Sequence, residues 1–579
     1  MESKTQKFDA VLDKILTDLV PHKRICLQQG ILQYCEGEFK ITDLDIEFFK
    51  LLRVPAPKLC PTCRRIRRFS FVNTATLYKH PNNTPGKSGN IISFVPLVSP
   101  LIIYDVESYQ TIFEPYTYAT MYDKARPFFD QFYDLRLRVP QPAITRDPSN
   151  INSEYSLNGK NLKNGYCVSG GLNSEDVWYS QIVSDSREIM DCYLVRKSEQ
   201  SYESVQSINL YTSSFIFFSK NCINSQFLYD CRNCQDCFGC VNLRNKRYCW
   251  FNKQLSKEEF ETSLKNANME SRESRELLIE KFWAFVKTQP LNASRCEHSH
   301  DVEGVNIADS KDCHYMLNSE KSEHERYVDS VVKHKDSMDV YISGGSEKLY
   351  ETASVGSQCA NVKFSLASKF ITDSEFVINC RNCTNCFACI GLENKSYCIF
   401  NRQYDKKDYF KELDRIKVSL LNNDEYGEFL PYRFSTFAYN GSSADLAFPL
   451  DKISTKKLDA LWQPDTEIDL GGLEVISGDA LYDTIAGVND SILNMAIICT
   501  ETGRPFRIVP TELAFYRKHD IPLPTVHPYR RIRNRFKFVG DRKIYKTTCN
   551  FCKKNINSMY NPEENWTLYC SECYQRDFI

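Results

Sequence analysis

Four cysteines near the end of the chain are spaced to hold a metal ion. Cys549-x2-Cys552-x17-Cys570-x2-Cys573 forms two CxxC knuckles, at the separation that lets four thiolates surround one zinc ion as a tetrahedron. The alternative is four unpaired thiols in an exposed tail. With every position supplied by the protein, such a site is structural and leaves no open place for catalysis. Pro562 to Asn565 can make the turn between the knuckles, and Trp566, Leu568 and Tyr569 the returning strand. At the other end Cys35, Cys60 and Cys63 form a less regular set. Cys26 is the candidate fourth ligand and His22 a substitute; a packed module without metal is the alternative. The expected cofactor is one to two zinc ions.

Two central clusters repeat one spacing: Cys231, Cys234, Cys237, Cys240 and Cys380, Cys383, Cys386, Cys389. Cysteines three apart suit an iron–sulfur cluster wrapped by a short loop. In a regular strand such residues face opposite sides, so one metal could take all four only in a turn. Cys231, Cys240 and Cys249 also recur every nine residues, which favours small thiols packed in a core. Both readings stay open, packing first.

Basic runs follow the cysteine modules: Arg64, Arg65, Arg67 and Arg68, then Arg530, Arg531, Arg533, Arg535 and Lys537. Arginine on a small zinc module suits phosphate through its charge and forked donors; the other reading is a solvated helix face paired to neighbouring acids. Cys296, His298, His300 and His314 hint at a further ligand group. There is no GxSxG, HExxH or P-loop, and so no hydrolytic or phosphoryl-transfer signature.

The elements that must carry these residues are legible as repeats. Residues 231–254, CRNCQDCFGCVNLRNKRYCWFNKQ, return as CRNCTNCFACIGLENKSYCIFNRQ at 380–403, an offset of 149. Upstream, Ser198, Glu199, Tyr202 and Glu203 match Ser346, Glu347, Tyr350 and Glu351 at 148. Short runs rich in Tyr, Phe, Val and Ile recur every eleven to thirteen residues between Asn, Ser, Asp and Gly. The expected fold is mainly β: two tandem duplicated β-solenoid-like halves, or stacked short strands, each followed by a helix. Two strands per rung would give about four rungs per copy. Ser256 to Glu259 is a capping box for the first helix; Asp405 precedes the second.

A second repeat links the ends of the chain at an offset of 467. Phe39, Ile41, Phe48, Pro55, Pro57 and Cys60 correspond to Phe506, Ile508, Phe515, Pro522, Pro524 and His527, and Tyr104 and Tyr109 to Tyr569 and Tyr574 after a shift to 465. Each terminus therefore carries a pair of modules. The N-terminal element resembles the treble-clef zinc-ribbon family, CxxCxxxF…FY…P..C..CR. The whole chain resembles large proteins that join that ribbon to a repeated CxxCxxCFxC segment. The resemblance implies architecture and metal binding, not an activity. Leu32 stands where the family's first cysteine would be. Some such sequences are labelled CoA-transferases, but no glycine-rich nucleotide turn or α/β alternation appears here. Cys499 with Thr502, His527 and Arg530, and Asp105 with Ser108, mark two modules expected to have lost their metal.

The expected layout is an N-terminal helix (1–25), a zinc-ribbon-like pair (26–110), a linker with a helix (111–150), the first half (151–253), a helical connector (254–295), the second half (296–402), a helix and linker (403–490), a degenerate treble clef (491–540) and a zinc ribbon (541–579). The chain has 579 residues and a formal charge of −1, which excludes a uniformly basic coat for nucleic acid but not local patches. The first residues lack a signal-peptide pattern, and no apolar run is long enough for a bilayer. Twenty-five cysteines without an export signal imply a reducing, intracellular, cytoplasmic setting. The function expected is a non-enzymatic zinc-binding scaffold or adaptor whose terminal modules contact nucleic acid or a nucleoprotein assembly. Alternatives are a structural or assembly protein that binds other proteins, and an iron–sulfur or thiol redox protein.

Overall fold

A computed structural model describes residues 4–73, 76–465, 468–539 and 544–578. The chain is mainly β and forms two compact units. Unit 1 joins residues 1–144 to 294–463, and unit 2 joins 145–293 to 464–579. The N-terminal cysteine module thus belongs with the second central segment, and the C-terminal modules with the first. No described helix is long and apolar enough to cross a membrane.

In unit 2 the strands from Lys160–Tyr166 to Arg247–Trp250 pair in parallel, and each partner lies twelve residues on: Lys160 with Leu172, Arg187 with Glu199, Gln226 with Phe238, Gln235 with Arg247. The expectation of two strands per rung is therefore corrected, because one interval is a complete return of the chain. Parallel neighbours usually need a crossover of a dozen or more residues. Here the chain turns at every third residue, which has a left-handed conformation: Asn158, Asn161, Asn164 and Cys167, later Asn221, Asn224, Phe227 and Asp230. Asn and Asp adopt that conformation most readily among residues with a side chain, hence their regular recurrence. At Tyr179, Ile182 and Phe227 it costs about 1–2 kcal/mol per residue and is held by paired neighbours twelve residues away.

The residue after each left-handed one points inward. Leu162, Val168, Ser174, Val177, Ser180 and Val183 are buried on this period. Its backbone N–H needs an acceptor, and the inward serine one return earlier supplies it. Ser153 Oγ donates to the Ile151 carbonyl (2.8 Å) and accepts from Gly165 N–H (2.9 Å). Ser207 donates to Val205 (2.9 Å) and accepts from Ser219 (3.2 Å). Outside, side-chain amides stack in a ladder, Asn209 to Asn221 to Asn233 to Asn245, at 2.8–2.9 Å. The last return is finished by Asn252, whose amide accepts from Val241 N–H and donates to its carbonyl. An open strand edge, which invites aggregation, is thereby closed, and the helix Lys257–Ala267 starts on the Ser256–Glu259 capping box.

Unit 1 follows the same register at Lys311 with Glu323, Ala360 with Thr372 and Lys369 with Arg381. It slips to eleven at His300 with Lys311 and to thirteen at Glu347 with Ala360. Asn401 caps this sheet on Ile390, and Asp405 caps the helix Lys406–Asn422. One inward residue breaks the pattern: Glu325 stacks on Cys313, is fully buried, and neither carboxylate oxygen meets hydrogen-bond geometry with a partner among the described residues. Burial pushes its pKa well above the usual 4.5, the proximity of Ser337 works against that shift, and the charge of Asp336 adds to it. A raised folded-state pKa means the stability is complete below the unfolded value and falls as pH rises from there through the folded value. We expect Glu325→Gln to leave the melting midpoint unchanged at pH 4 and to raise stability at pH 8 by about 1–3 kcal/mol, the ordinary cost of an unpartnered buried polar group. Equal effects at both pH values would contradict this.

Candidate metal centres

The N-terminal centre is assembled by a hairpin and a helix. His22–Ile25 pairs with Glu38–Ile41; Cys26 follows the first strand, Cys35 lies in the connecting loop, and Cys60 is the N-cap of the helix Pro61–Phe69 with Cys63 in its first turn. The four sulfurs lie within 4.8 Å of one another. Backbone N–H groups point at them: Cys60 to Cys26 Sγ (3.2 Å), Cys63 to Cys60 Sγ (3.4 Å), Gly37 to Cys35 Sγ (3.4 Å). Hydrogen bonds from Cys60 and Cys63 hold the Cys26 thiol down at about 2, while its proximity pushes Cys60 up to about 12 and Cys63 higher. Thiolates are the form that ligates a divalent ion, and these residues fit one.

The C-terminal centre repeats the plan. Tyr545–Thr548 pairs with Asn555–Ser558, Cys549 and Cys552 follow the first strand, and Cys570 immediately precedes the helix Ser571–Phe578, which contains Cys573. Its sulfurs also lie within 4.8 Å of one another. Cys570 N–H donates to Cys549 Sγ (3.3 Å), Cys573 N–H to Cys570 Sγ (3.5 Å), and Cys552 and Cys570 sulfurs are 3.7 Å apart. Burial works against the Cys549 thiolate, but N–H groups of Cys552 and Cys570 bring its pKa down to about 6. Ile556 and Tyr569 pack on this cluster as partly buried apolar residues, and the module is also tied to the rest of unit 2 by the pairing of Leu568 with Leu291 and by the Tyr574 hydroxyl on Asp230.

The two modules expected to be empty have other cross-links. Asp105 accepts from Ser108 N–H (2.9 Å) and the Thr84 hydroxyl (2.9 Å) and pairs with Lys87 (3.1 Å). An ordinary ion pair thus stands where Cys570 has its counterpart. In the other, His527 N–H donates to Cys499 Sγ (3.3 Å), just as Cys60 donates to Cys26. Cys499 is therefore the partner of Cys26 in geometry, although the offset aligns it with Leu32. Burial and two nearby arginines lower the His527 pKa to about 3.

Five members of the arginine runs, Arg64, Arg67, Arg68, Arg531 and Arg535, are buried against acids. In unit 1 Arg64 and Arg68 bind Asp339 (both 2.8 Å), Arg68 and Arg67 bind Glu351 (2.9 and 3.1 Å), and Arg65 pairs with Asp329 (3.3 Å). Asp339 and Glu351 are twelve residues apart, both left-handed. In unit 2 Arg531 and Arg535 bind Asp191, Arg535 also reaches Glu203 (3.5 Å), and Arg531 reaches Glu512 (3.4 Å). Asp191 and Glu203 are again twelve apart. Each cysteine-type module therefore sends a helix of arginines onto a stack of two acids. Arg530 is partly exposed and pairs with Glu501; Arg533 is half-buried and Lys537 exposed. Sequence reasoning missed the four acids. Their signal was the 148-residue match of Glu203 to Glu351, with Asp191 and Asp339 one interval earlier.

The central cysteines are the inward row of the three-residue period, so residues three apart share one interior instead of alternating faces. Cys231, Cys234, Cys237 and Cys240 are buried, as are Cys380, Cys383, Cys386 and Cys389. Their thiols take serine's role. Cys231 Sγ donates to the Cys240 carbonyl and Cys240 Sγ to that of Cys249 (3.5 and 3.4 Å), which explains the nine-residue recurrence as three quarters of a return. Neither cluster is among the described groups whose ligand atoms all converge within metal distance. Cys296, His298, His300 and His314 do not gather with one another: Cys296 donates to the Ser294 carbonyl, His298 faces Asp309, and His314 converges instead with the exposed or partly exposed acids Asp301 and Asp312.

No protein-family model matches the chain, and no curated protein matches its sequence. Among solved structures, a chain described as a "putative acetyltransferase from Desulfovibrio desulfuricans G20" is similar at 10% identity and a TM-score of 0.11. The alignment covers 38% of this chain and 63% of that one, less than two thirds of its length, and a score so low carries no argument.

Proposed function

We propose that this protein is a non-enzymatic scaffold: two duplicated β-solenoids, each fastened to a terminal zinc-ribbon module whose zinc is structural, presenting ladder-like faces to protein partners. The observation that carries this reading is the closed set of four cysteines at each terminus, which leaves no coordination position for substrate. Zinc is the ion that four thiolates and tetrahedral geometry suit best. The solenoid and its duplication are supported by the twelve-residue register in both units and by the equal spacing of Asp191 and Glu203 to Asp339 and Glu351. A protein partner is favoured over nucleic acid because Arg64, Arg67, Arg68, Arg531 and Arg535 are buried in ion pairs. A nucleic-acid partner would be left with Arg530, Arg533 and Lys537 in these runs.

Purified protein should contain zinc without iron or sulfide, and should elute free of nucleic acid at low salt. A salt-sensitive nucleic-acid complex, lost when Arg530, Arg533 and Lys537 become glutamine, would replace this reading with the nucleic-acid one. Iron with acid-labile sulfide would replace it with the redox one.

A further inference from the structure

A third group of ligand atoms converges within 4.8 Å among the described residues, those of Asp301, Asp312 and His314 in unit 1. No thiol takes part. The strands His300–Ala308 and Lys311–Glu320 carry it, paired so that Val302 faces Cys313 and Glu303 faces His314. In this eleven-residue return Asp301 lies opposite Asp312, and both are left-handed. The register shifts between Glu303 and Gly304, where a Cβ at 304 would meet the Met316 carbonyl oxygen at 2.0 Å. Glycine at 304 thus permits the short return that stacks the two acids.

Elsewhere the returns set a basic group against an acid: Lys163 with Glu175 (2.5 Å), His324 with Asp336 (2.9 Å), Lys363 with Glu375 (3.3 Å) and Lys335 with Glu323 (3.6 Å). Like charges directly opposite on neighbouring strands are destabilising, and Asp301 with Asp312 is such a pair. Asp301 has no hydrogen bond or ion pair among the described residues, and the ion-pair partner of Asp312 is His314, whose Nε2 lies 3.5 Å from Oδ1. On the other side of the ring, His314 Nδ1 faces Glu303 Oε2 at 4.0 Å. A carboxylate there is the usual companion of a metal-bound imidazole, fixing its orientation. Asp301 is exposed and the other two donors are partly exposed, so an ion can enter from solvent.

We propose that Asp301, Asp312 and His314 form an exchangeable site for a divalent ion of the manganese(II) class, its remaining positions taken by water. Two carboxylates and one imidazole mix oxygen with borderline nitrogen, a donor set that suits such an ion better than thiolate shells do. The ion supplies the positive charge that the stacked acids lack. Three protein donors also leave its coordination open, unlike the cysteine centres, and the proposal does not depend on those centres holding zinc.

Full-length protein, dialysed to remove loosely held ions, is titrated with manganese(II) while electron paramagnetic resonance counts the free ion. Thiolate shells take this ion poorly, so the titration reads the oxygen–nitrogen site. The expected result is saturable binding of one ion per chain that an equal concentration of magnesium does not displace. The spin-echo spectrum of the bound ion should show one imidazole nitrogen. Asp312→Asn and His314→Gln should lose saturable binding, and Glu303→Gln should weaken it about tenfold. If a variant does not fold, the nitrogen signal of the wild-type protein decides alone. Unchanged binding in folded His314→Gln, no nitrogen signal, equal displacement by magnesium, or no saturable binding overturns the proposal and leaves a solvated pair of acids at this corner.

Discussion

Cys570→Ser removes one metal equivalent and unravels residues 544–578 while the parallel sheet of unit 2 stays folded. Besides Cys549, Cys570 and Cys573, the module buries few apolar residues: Met559, Tyr560, Leu568 and Tyr574. A metal bound by these four cysteines would supply folding free energy, on the order of 10 kcal/mol in comparable peptides. Backbone hydrogen exchange should therefore rise sharply across Tyr545–Thr548 and Asn555–Ser558 and remain slow across Gln226–Tyr229. The coupling is local because the central sheet has its own register, its inward serines and its Asn252 cap. Retention of the full metal content by Cys570→Ser, or loss of protection throughout unit 2, would contradict this.

Asp339→Ala destabilises unit 1 by about 3–5 kcal/mol, the usual consequence of removing one side of a buried ion pair. Arg64 and Arg68 are then left in the interior with Glu351 alone, and the helix capped by the candidate ligand Cys60 loses its hold on the sheet. The same change with one charge of each sign removed, Asp339→Leu with Arg64→Met, should recover most of the loss, because buried pairs are often matched by apolar groups of similar volume. Chemical denaturation reads both. A loss below about 1 kcal/mol for Asp339→Ala would mean that solvent reaches these arginines as it does an ordinary surface pair.

The convergence of the two terminal cysteine sets was the most legible part of the sequence. Both cysteine sets were identifiable from spacing, and the structure brings Cys26 to Cys35, Cys60 and Cys63 as it does the C-terminal four. Hairpin and helix N-terminus force that convergence locally, so a one-dimensional motif captures it. The interval of eleven to thirteen residues was also visible, but its meaning was not. Alternation along a strand is the ordinary rule, and it made Cys231, Cys234, Cys237 and Cys240 look like residues on opposite faces. A left-handed residue at every third position changes the period from two to three, and nothing in strand propensity announces that. The recurrent Asn and Asp were its trace, taken as loop punctuation. The arginine runs failed for a different reason. Their partners lie some 280 to 340 residues away in sequence, as with Arg68 and Glu351 or Arg531 and Asp191, and composition alone cannot distinguish a cation aimed at phosphate from one aimed at a buried acid.

The central claim is that each terminus holds one structural zinc in a shell of four cysteine sulfurs. Zinc-edge X-ray absorption on the full-length protein, combined with metal quantification, tests it most directly. The account predicts two zinc ions per chain, falling to one in Cys60→Ser and one in Cys570→Ser, with four sulfur neighbours at about 2.3 Å. Nitrogen or oxygen in the first shell, iron in place of zinc, or an unchanged zinc content in either variant would contradict it.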